Sequence, residues 1–225
     1  MVMNNSDDTF IREVNEELRS EQLQNAWKRF RPFIIAVAVL IVLCVAGSSL
    51  FDWWQARESS ASGDRFLTAI KAANDKQVDE ATRQFEQLSK DGFGSYPVLA
   101  RMRLATLKAE KGDAKAAIAD FLAIGQDASV PKAMRNVAKI RAGWLMVDTA
   151  SYDEVAGQVE ELAAASSQVR HSAREVLGLA AYKAGNYAKA KEWMQQITED
   201  NDAPAGAKTR ARMILSLITA SGKLT

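Results

Sequence analysis

Two hydrophobic patterns follow one another along this chain. From Phe33 to Phe51 the sequence FIIAVAVLIVLCVAGSSLF contains no charged residue. Further along, apolar residues recur at three- and four-residue spacing, in stretches separated by turns every fifteen or so residues. The first pattern predicts a helix that is apolar on all sides, and the second predicts a series of amphipathic helices. We therefore expect an all-α protein.

The uncharged run predicts a single transmembrane helix over residues 33–54. At about 1.5 Å per residue the run spans roughly the 30 Å hydrocarbon core of a bilayer. Trp53 and Trp54 follow it, and indole rings favour the headgroup region. A buried core helix is one alternative, although such a helix usually has a polar face. A cleaved signal peptide is another, but the polar leader and the apolar run are both longer than signal peptides usually have.

Charges on either side of this run predict its orientation. Lys28, Arg29 and Arg31 precede it, whereas Asp52 follows it directly. Because basic residues are retained on the cytoplasmic side, we expect a cytoplasmic N-terminus and a C-terminal domain on the far side of the membrane.

The first 32 residues are predicted to form a cytoplasmic amphipathic leader helix. Phe10, Ile11, Val14 and Leu18 recur at helical spacing, and acidic residues precede the basic ones. Two interpretations remain open: a docking or self-association helix, or a solvated leader that only helps to set the topology.

After a serine-rich linker at residues 55–63, residues 64–225 are predicted to form a domain of about four helix pairs. The second helix of each pair carries a small or apolar residue, a large one four positions later and another three positions further. These triplets are Ala81, Phe85, Leu88; Ala117, Phe121, Ile124; Val155, Val159, Leu162; and Ala190, Met194, Ile197. Their first residues are 36, 38 and 35 positions apart, close to the tetratricopeptide period of about 34 residues.

The clearest copy reads LGLAAYKAGNYAKAKEWMQQI from Leu177 to Ile197 and looks like a tetratricopeptide repeat. A last helix, from Ala205 to Ala220, is predicted to cap the open end of this α-solenoid. We expect its apolar residues to face inward; they are Met213, Leu215, Leu217 and Ile218.

Tetratricopeptide repeats bind partners in a groove lined by the first helix of each pair. The repeat register places an apolar and aromatic set there, which favours a partner helix or an extended chain. The predicted partner-binding residues are Phe66, Ile70, Met102, Ile140, Trp144, Leu179 and Tyr182. As an alternative, several of them complete the core, or the last helix folds into the groove.

Composition and motifs favour a binding or scaffolding protein over an enzyme. A net charge of +1 argues against nucleic-acid binding. Cys44 is the only cysteine, so it has no disulfide partner in the chain. His171, the only histidine, has no second ligand at metal-binding spacing beyond Glu175. We find no phosphate loop and no nucleophile motif, and therefore expect no catalytic residue, metal site or cofactor.

The order of these parts resembles the ancillary SecYEG translocon subunit family of Gram-negative bacteria. The resemblance is carried by the leader and membrane run FIREVNEELRSEQLQNAWKRFRPFIIAVAVLIVLCV, the aromatic exit at Phe51 to Gln55, and the degenerate helical repeats. It implies an inner-membrane protein with a periplasmic domain, with translocon subunits, prolyl-isomerase-type chaperones or emerging client chains as partners. The alternative is a scaffold for another envelope complex, in division, outer-membrane assembly or cytochrome maturation.

Overall fold

The computed structural model describes residues 5–222, with side chains from Trp27 onward apart from residues 28–30, 34–36 and 38. The chain divides into two units, Met1–Glu58 and Ser59–Thr225. All regular structure in the described part is helical, which confirms the predicted all-α class. Nine α-helices and one 3₁₀ helix lie between residues 5 and 222. They are α1 (Asn5–Asn74), α2 (Val78–Asp91), α3 (Tyr96–Glu110), α4 (Ala114–Gln126), α5 (Lys132–Met146), α6 (Tyr152–Val159), the 3₁₀ helix (Glu160–Ala163), α7 (Arg170–Lys183), α8 (Tyr187–Thr198) and α9 (Ala205–Ala220).

The first helix contains the predicted membrane segment, and residues 55–63 are helical as well. The serine-rich stretch is therefore not an irregular joint. Its last residues already belong to the second unit and pack there: buried Ser62 accepts a hydrogen bond from the Phe93 backbone N–H at 2.9 Å, and Gly63 lies against the Tyr96 ring. The amphipathic face predicted for the leader falls on side chains outside the described set.

The second unit consists of four helix pairs followed by α9. The last turns of α1 pair with α2, and the later pairs are α3 with α4, α5 with α6, and α7 with α8. All twelve residues of the predicted second-helix triplets are buried, none more than 5% exposed. The repeat register predicted from the sequence is therefore confirmed. In each pair the triplet forms one buried face, and its packing joins the two helices of the pair and each pair to the next.

Small residues allow the paired helices to cross closely. A Cβ atom on Gly178 would lie 2.6 Å from Met194 Cε, and one on Gly143 would lie 2.9 Å from Val159 Cγ1. Both distances are shorter than carbon atoms tolerate, so the neighbouring side chains occupy the space that glycine leaves free. The corresponding position in the first two pairs is alanine, at Ala69 and Ala105, both fully buried.

The turns within the first, second and fourth helix pairs repeat the same conformation. Gly112 and Gly185 have positive φ angles of 91° and 76°, and Lys76 takes the equivalent place with φ of 60°. The next residue caps the second helix in two of these turns: the side chains of Asp113 and Asn186 accept hydrogen bonds from backbone N–H groups three residues on. These bonds satisfy amide groups that the helix start leaves unpaired.

The third pair is less regular. Its second helix begins with a capping box formed by Ser151 and Glu154, but the α-helical geometry ends at Val159. The chain continues as the 3₁₀ helix, which still brings Leu162 into the core. The tighter 3₁₀ winding keeps the third triplet buried where the α-helix has stopped.

The terminal helix packs against α8 and α7. Ala207, Ala211 and Ile218 form its buried face, and Leu215 is half-buried. The prediction that Met213 and Leu217 also face inward was wrong, since they are 61% and 52% exposed. At 100° per residue these two lie roughly opposite or to the side of Ala211, so they cannot share its face.

Candidate protein-binding surface

The seven predicted partner-binding residues lie on the first helices of the pairs but differ in accessibility. Phe66 and Ile70 are half-buried at the end of α1. The Phe66 ring packs edge-on against Phe85, with centroids 5.6 Å apart, and near Tyr96 at 5.9 Å. These two residues therefore contribute mainly to the core between α1, α2 and α3.

Met102 and Ile140 lie deeper, only 8% and 7% exposed. Met102 belongs to the cluster around Phe121, and Ile140 to the cluster around Val159. A partner could not contact much of either side chain without displacing its neighbours. In this structure Met102 and Ile140 therefore pack within the core.

Trp144 is the most accessible of the seven, with 38% of its surface exposed on α5. Two residues on the same face of α5 were not predicted from the sequence: Val137 is 40% exposed and Arg141 is exposed. Positions 137, 141 and 144 recur at four- and three-residue spacing, so they form one stripe along the helix. We call Val137, Arg141 and Trp144 the α5 stripe.

Leu179 and Tyr182 occupy the equivalent face of α7 and are half-buried. The Tyr182 ring packs against Tyr187 with centroids 5.4 Å apart. Leu179 lines an apolar cavity of about 150 Å³ with Met194, Met213 and Ile214. The exposed Met213 was predicted to be internal, but it lies at the rim of this cavity and extends the apolar surface of α7 onto α9.

Two ion pairs join neighbouring helices near this surface. Lys183 on α7 donates from Nζ to the carboxylate of Asp148 at 3.0 Å and to its backbone carbonyl at 2.8 Å, just beyond the end of α5. Arg210 on α9 donates two hydrogen bonds to the buried carboxylate of Glu175 on α7. The Glu175 carboxylate raises the pKa of Arg210. These contacts fix the spacing of α5, α7 and α9 and neutralise the charges involved.

A denser ionic cluster closes the end of the fourth pair. The Asp200 carboxylate accepts hydrogen bonds from Arg170 Nε at 2.8 Å and Arg174 at 3.2 Å, and lies 2.9 Å from His171 Nε2. Arg170, followed by His171, holds the pKa of Asp200 well below its usual range. Arg174 also donates to the backbone carbonyl of Ala163. His171 is thus a partly packed helix residue within a structural charge cluster.

A cavity of about 450 Å³ lies between α2, α3 and α4. It is away from the predicted groove, and the sequence analysis did not identify it. Its rim is polar and internally paired, because Lys108 on α3 donates to Asp120 on α4 at 2.6 Å. Such a rim provides fewer free groups for a partner than the α5 stripe does.

One helix in the described part of the chain is long and apolar enough to cross a membrane. Every described side chain from Phe33 to Phe51 is exposed, so these residues do not contribute to a protein core. The hydroxyl of Ser48 donates to the Val45 carbonyl at 2.9 Å, which satisfies it within the helix. Trp27 and Trp53 flank the segment about 39 Å apart along the helix axis, close to the thickness of a bilayer with its headgroups.

A family model described as a tetratricopeptide repeat-like domain matches residues 24–217. The chain belongs to this family. The match begins ahead of the apolar run at residues 33–51 and extends through most of α9, so it covers this run as well as the repeats. A comparison with curated proteins gives no match. Tetratricopeptide-like domains generally mediate protein–protein interactions, and their fold is typically a non-enzymatic scaffold.

Proposed function

We propose that this chain is a membrane-anchored protein-binding protein that serves as an accessory factor of the Sec translocon and links it to periplasmic chaperones. The observation that carries the binding role is the exposed Trp144 beside Arg141 on a first helix of the tetratricopeptide-like domain. Helix pairing alone does not require an indole at this place, and partly exposed aromatic side chains are common anchors in protein interfaces.

The membrane role rests on residues 33–54, which would hold the chain in lipid. The exposed apolar helix and its flanking tryptophans support a single span. Lys28, Arg29 and Arg31 favour a cytoplasmic N-terminus and a periplasmic repeat domain, and thus an inner-membrane location.

The translocon assignment rests on the resemblance of the whole chain to the ancillary subunit family. That resemblance lies in the Ala-Trp-Lys-Arg-Phe approach to the membrane at residues 26–30 and in the single anchor followed by degenerate repeats. Translocon subunits, a periplasmic prolyl-isomerase-type chaperone and emerging client chains are the proposed partners. Of the seven residues predicted to line the groove, Trp144, Leu179 and Tyr182 would provide most of the accessible contact, and Phe66, Ile70, Met102 and Ile140 would support it from behind.

Affinity purification tests this proposal. The tagged full-length protein is extracted from membranes in lipid nanodiscs, and co-purifying proteins are identified by mass spectrometry. We expect translocon subunits together with a chaperone, and we expect the chaperone to be lost from Trp144→Ala/Tyr182→Ser. The control is Lys115→Ala, an exposed change on α4. Co-purification of a division, outer-membrane assembly or cytochrome-maturation complex without translocon subunits would favour the scaffold alternative.

A further inference from the structure

The α5 stripe combines two exposed apolar residues with a cation between them. Within the second unit, Val137 and Trp144 are two of the few large apolar side chains that lie exposed, with 40% and 38% of their surface open to solvent. Arg141 lies between them on the same face and is exposed too. Ala138 and Ala142 point to another side of α5 and are fully buried, so the stripe is the side of the helix that packing leaves uncovered.

Neighbouring side chains hold Arg141 in place, but none of them neutralises its charge. Its guanidinium donates to Thr106 Oγ1 on α3 at 3.2 Å and lies 6.0 Å from the centre of the Phe121 ring. Thr106 in turn donates to the Met102 carbonyl at 2.9 Å, which fixes its hydroxyl. In the described part of the chain no carboxylate forms an ion pair with Arg141. Because a hydroxyl and an aromatic ring carry no negative charge, the Arg141 guanidinium keeps free N–H donors and an uncompensated charge.

The preceding repeat provides a second cation at the equivalent position. Arg103 on α3 lies 38 residues before Arg141 and is exposed. It lines a small cavity with Thr106, the same threonine that accepts the hydrogen bond from Arg141. By contrast, the cations at the α7 end of the surface, Lys183 and Arg210, are already paired with carboxylates. Of these four cations, the two on α3 and α5 are therefore the ones without an ion pair in the described part of the chain.

We infer that the α5 stripe binds an amphipathic helix of a partner protein. This helix presents an acidic residue between two apolar residues. The inference rests on the proposed binding role. A helix lying along α5 has the same rise of about 1.5 Å per residue. Apolar side chains at its positions i and i+7 can therefore pack on Val137 and Trp144, while Asp or Glu at i+3 or i+4 meets Arg141. The two apolar contacts provide the contact area, and the charge pair selects an acidic helix over a neutral or basic one.

A library of helical peptides tests this inference. Peptides of about 18 residues, long enough to be helical in an alanine-rich background, carry random residues at i, i+3, i+4 and i+7. They are selected against the full-length protein in lipid nanodiscs. We expect apolar residues at i and i+7 and Asp or Glu at i+3 or i+4. Replacing the selected acid with its amide should weaken binding about tenfold, as expected for a hydrogen bond to a charged group, and added salt should weaken the acidic peptide more.

Protein variants provide the matched control. Arg141→Gln should abolish the acidic preference at i+3 or i+4 and leave the apolar preference unchanged. Arg103→Gln should reduce the acidic preference less than Arg141→Gln does. Arg212→Gln changes another exposed arginine, on α9, and should select the same peptides as the unchanged protein. If no acidic residue is enriched, if no peptide is selected, or if the preference persists in Arg141→Gln, the inference is wrong.

This test separates the inference from the function on which it rests. If native partners still require Trp144 while the library shows no acidic preference, only the acidic helix is excluded. If native binding is also unaffected by Trp144→Ala/Tyr182→Ser, the whole proposed surface is excluded.

Discussion

Glu175 and Arg210 join the last helix pair to the terminal helix through two hydrogen bonds to one buried carboxylate. The Glu175 side chain is 4% exposed, while Arg210 is largely open to solvent. Removing Arg210 would therefore leave a carboxylate that is shielded from water and has lost its charged partner. Because a buried charge without a partner is costly, this pair controls how firmly α9 caps the solenoid.

Arg210→Gln should lower the free energy of unfolding by about 1–3 kcal/mol, the usual cost of leaving a buried polar group unsatisfied. Urea denaturation gives the value, and hydrogen exchange in α9 shows whether the loss is local. Glu175→Leu/Arg210→Met removes both charges and should recover most of the stability. A double variant as unstable as Arg210→Gln would show that the pair is not the source of the effect.

Lys76 occupies a turn position that favours glycine. Its φ of 60° matches Gly112 and Gly185 at the equivalent positions, and a side chain in this region costs about 1 kcal/mol or more. We expect Lys76→Gly to raise the free energy of unfolding by about 0.5–1 kcal/mol, after the entropy cost of glycine is subtracted. Thermal and urea denaturation measure this. The control Lys90→Gly, inside α2, should destabilise the protein. If it raised the free energy of unfolding as much as Lys76→Gly does, relief of backbone strain would not be the cause.

Ala117 and Ala190 are fully buried where the second helices cross their neighbours. Enlarging either to leucine should lower the free energy of unfolding by about 1–3 kcal/mol, because the crossing has no room for three more carbon atoms. The matched controls are Ala119→Leu on α4 and Ala188→Leu on α8, both at exposed positions. If the buried and exposed substitutions melted alike, the repeat register would be incorrect.

Asp200 should make the domain sensitive to acid. Its pKa is lowered in the folded protein, chiefly by Arg170, so the folded state favours the carboxylate more than the unfolded chain does. This contribution is complete above the unfolded pKa of about 3.9 and is lost as pH falls below it. Asp200→Asn should lower the free energy of unfolding at neutral pH. Below about pH 4 this variant should lose less stability with falling pH than the unchanged protein does. Asp202→Asn, which alters a largely exposed partner of Arg170, should do much less. If the free energy of unfolding fell equally with pH in Asp200→Asn and in the unchanged protein, this role of Asp200 would be contradicted.

The proposed topology predicts that a reporter fused after Thr225 is active only outside the cytoplasm. In this topology Lys28, Arg29 and Arg31 would stay on the cytoplasmic side, and the apolar run after them would carry the rest of the chain across. A reporter pair of alkaline phosphatase and green fluorescent protein measures this directly. Replacing the three basic residues with glutamine should produce mixed orientations. Digestion of the repeat domain from the cytoplasmic side would overturn the prediction.

The sequence by itself determined the helical class, the repeat register and the apolar segment. These properties depend on local periodicity: a buried face must recur every three or four residues, and the triplets beginning at Ala81, Ala117, Val155 and Ala190 do so. It also identified Trp144 as a residue that packing does not require. The period alone, however, could not separate core from surface among the first-helix residues, because Met102 and Trp144 both fit the predicted groove.

Only the tertiary structure decided how accessible each side chain is and which charges are paired. Neighbouring helices bury Met102 and Ile140 but leave Trp144 open, and α9 turns Met213 outward because Ala207, Ala211 and Ile218 face α8 and α7. Glu175 forms an ion pair with Arg210, 35 positions later in the chain. Arg141, by contrast, contacts the hydroxyl of Thr106 and the ring of Phe121. Such pairings depend on distances between helices that are remote in sequence, and residue spacing within one helix carries no information about those distances.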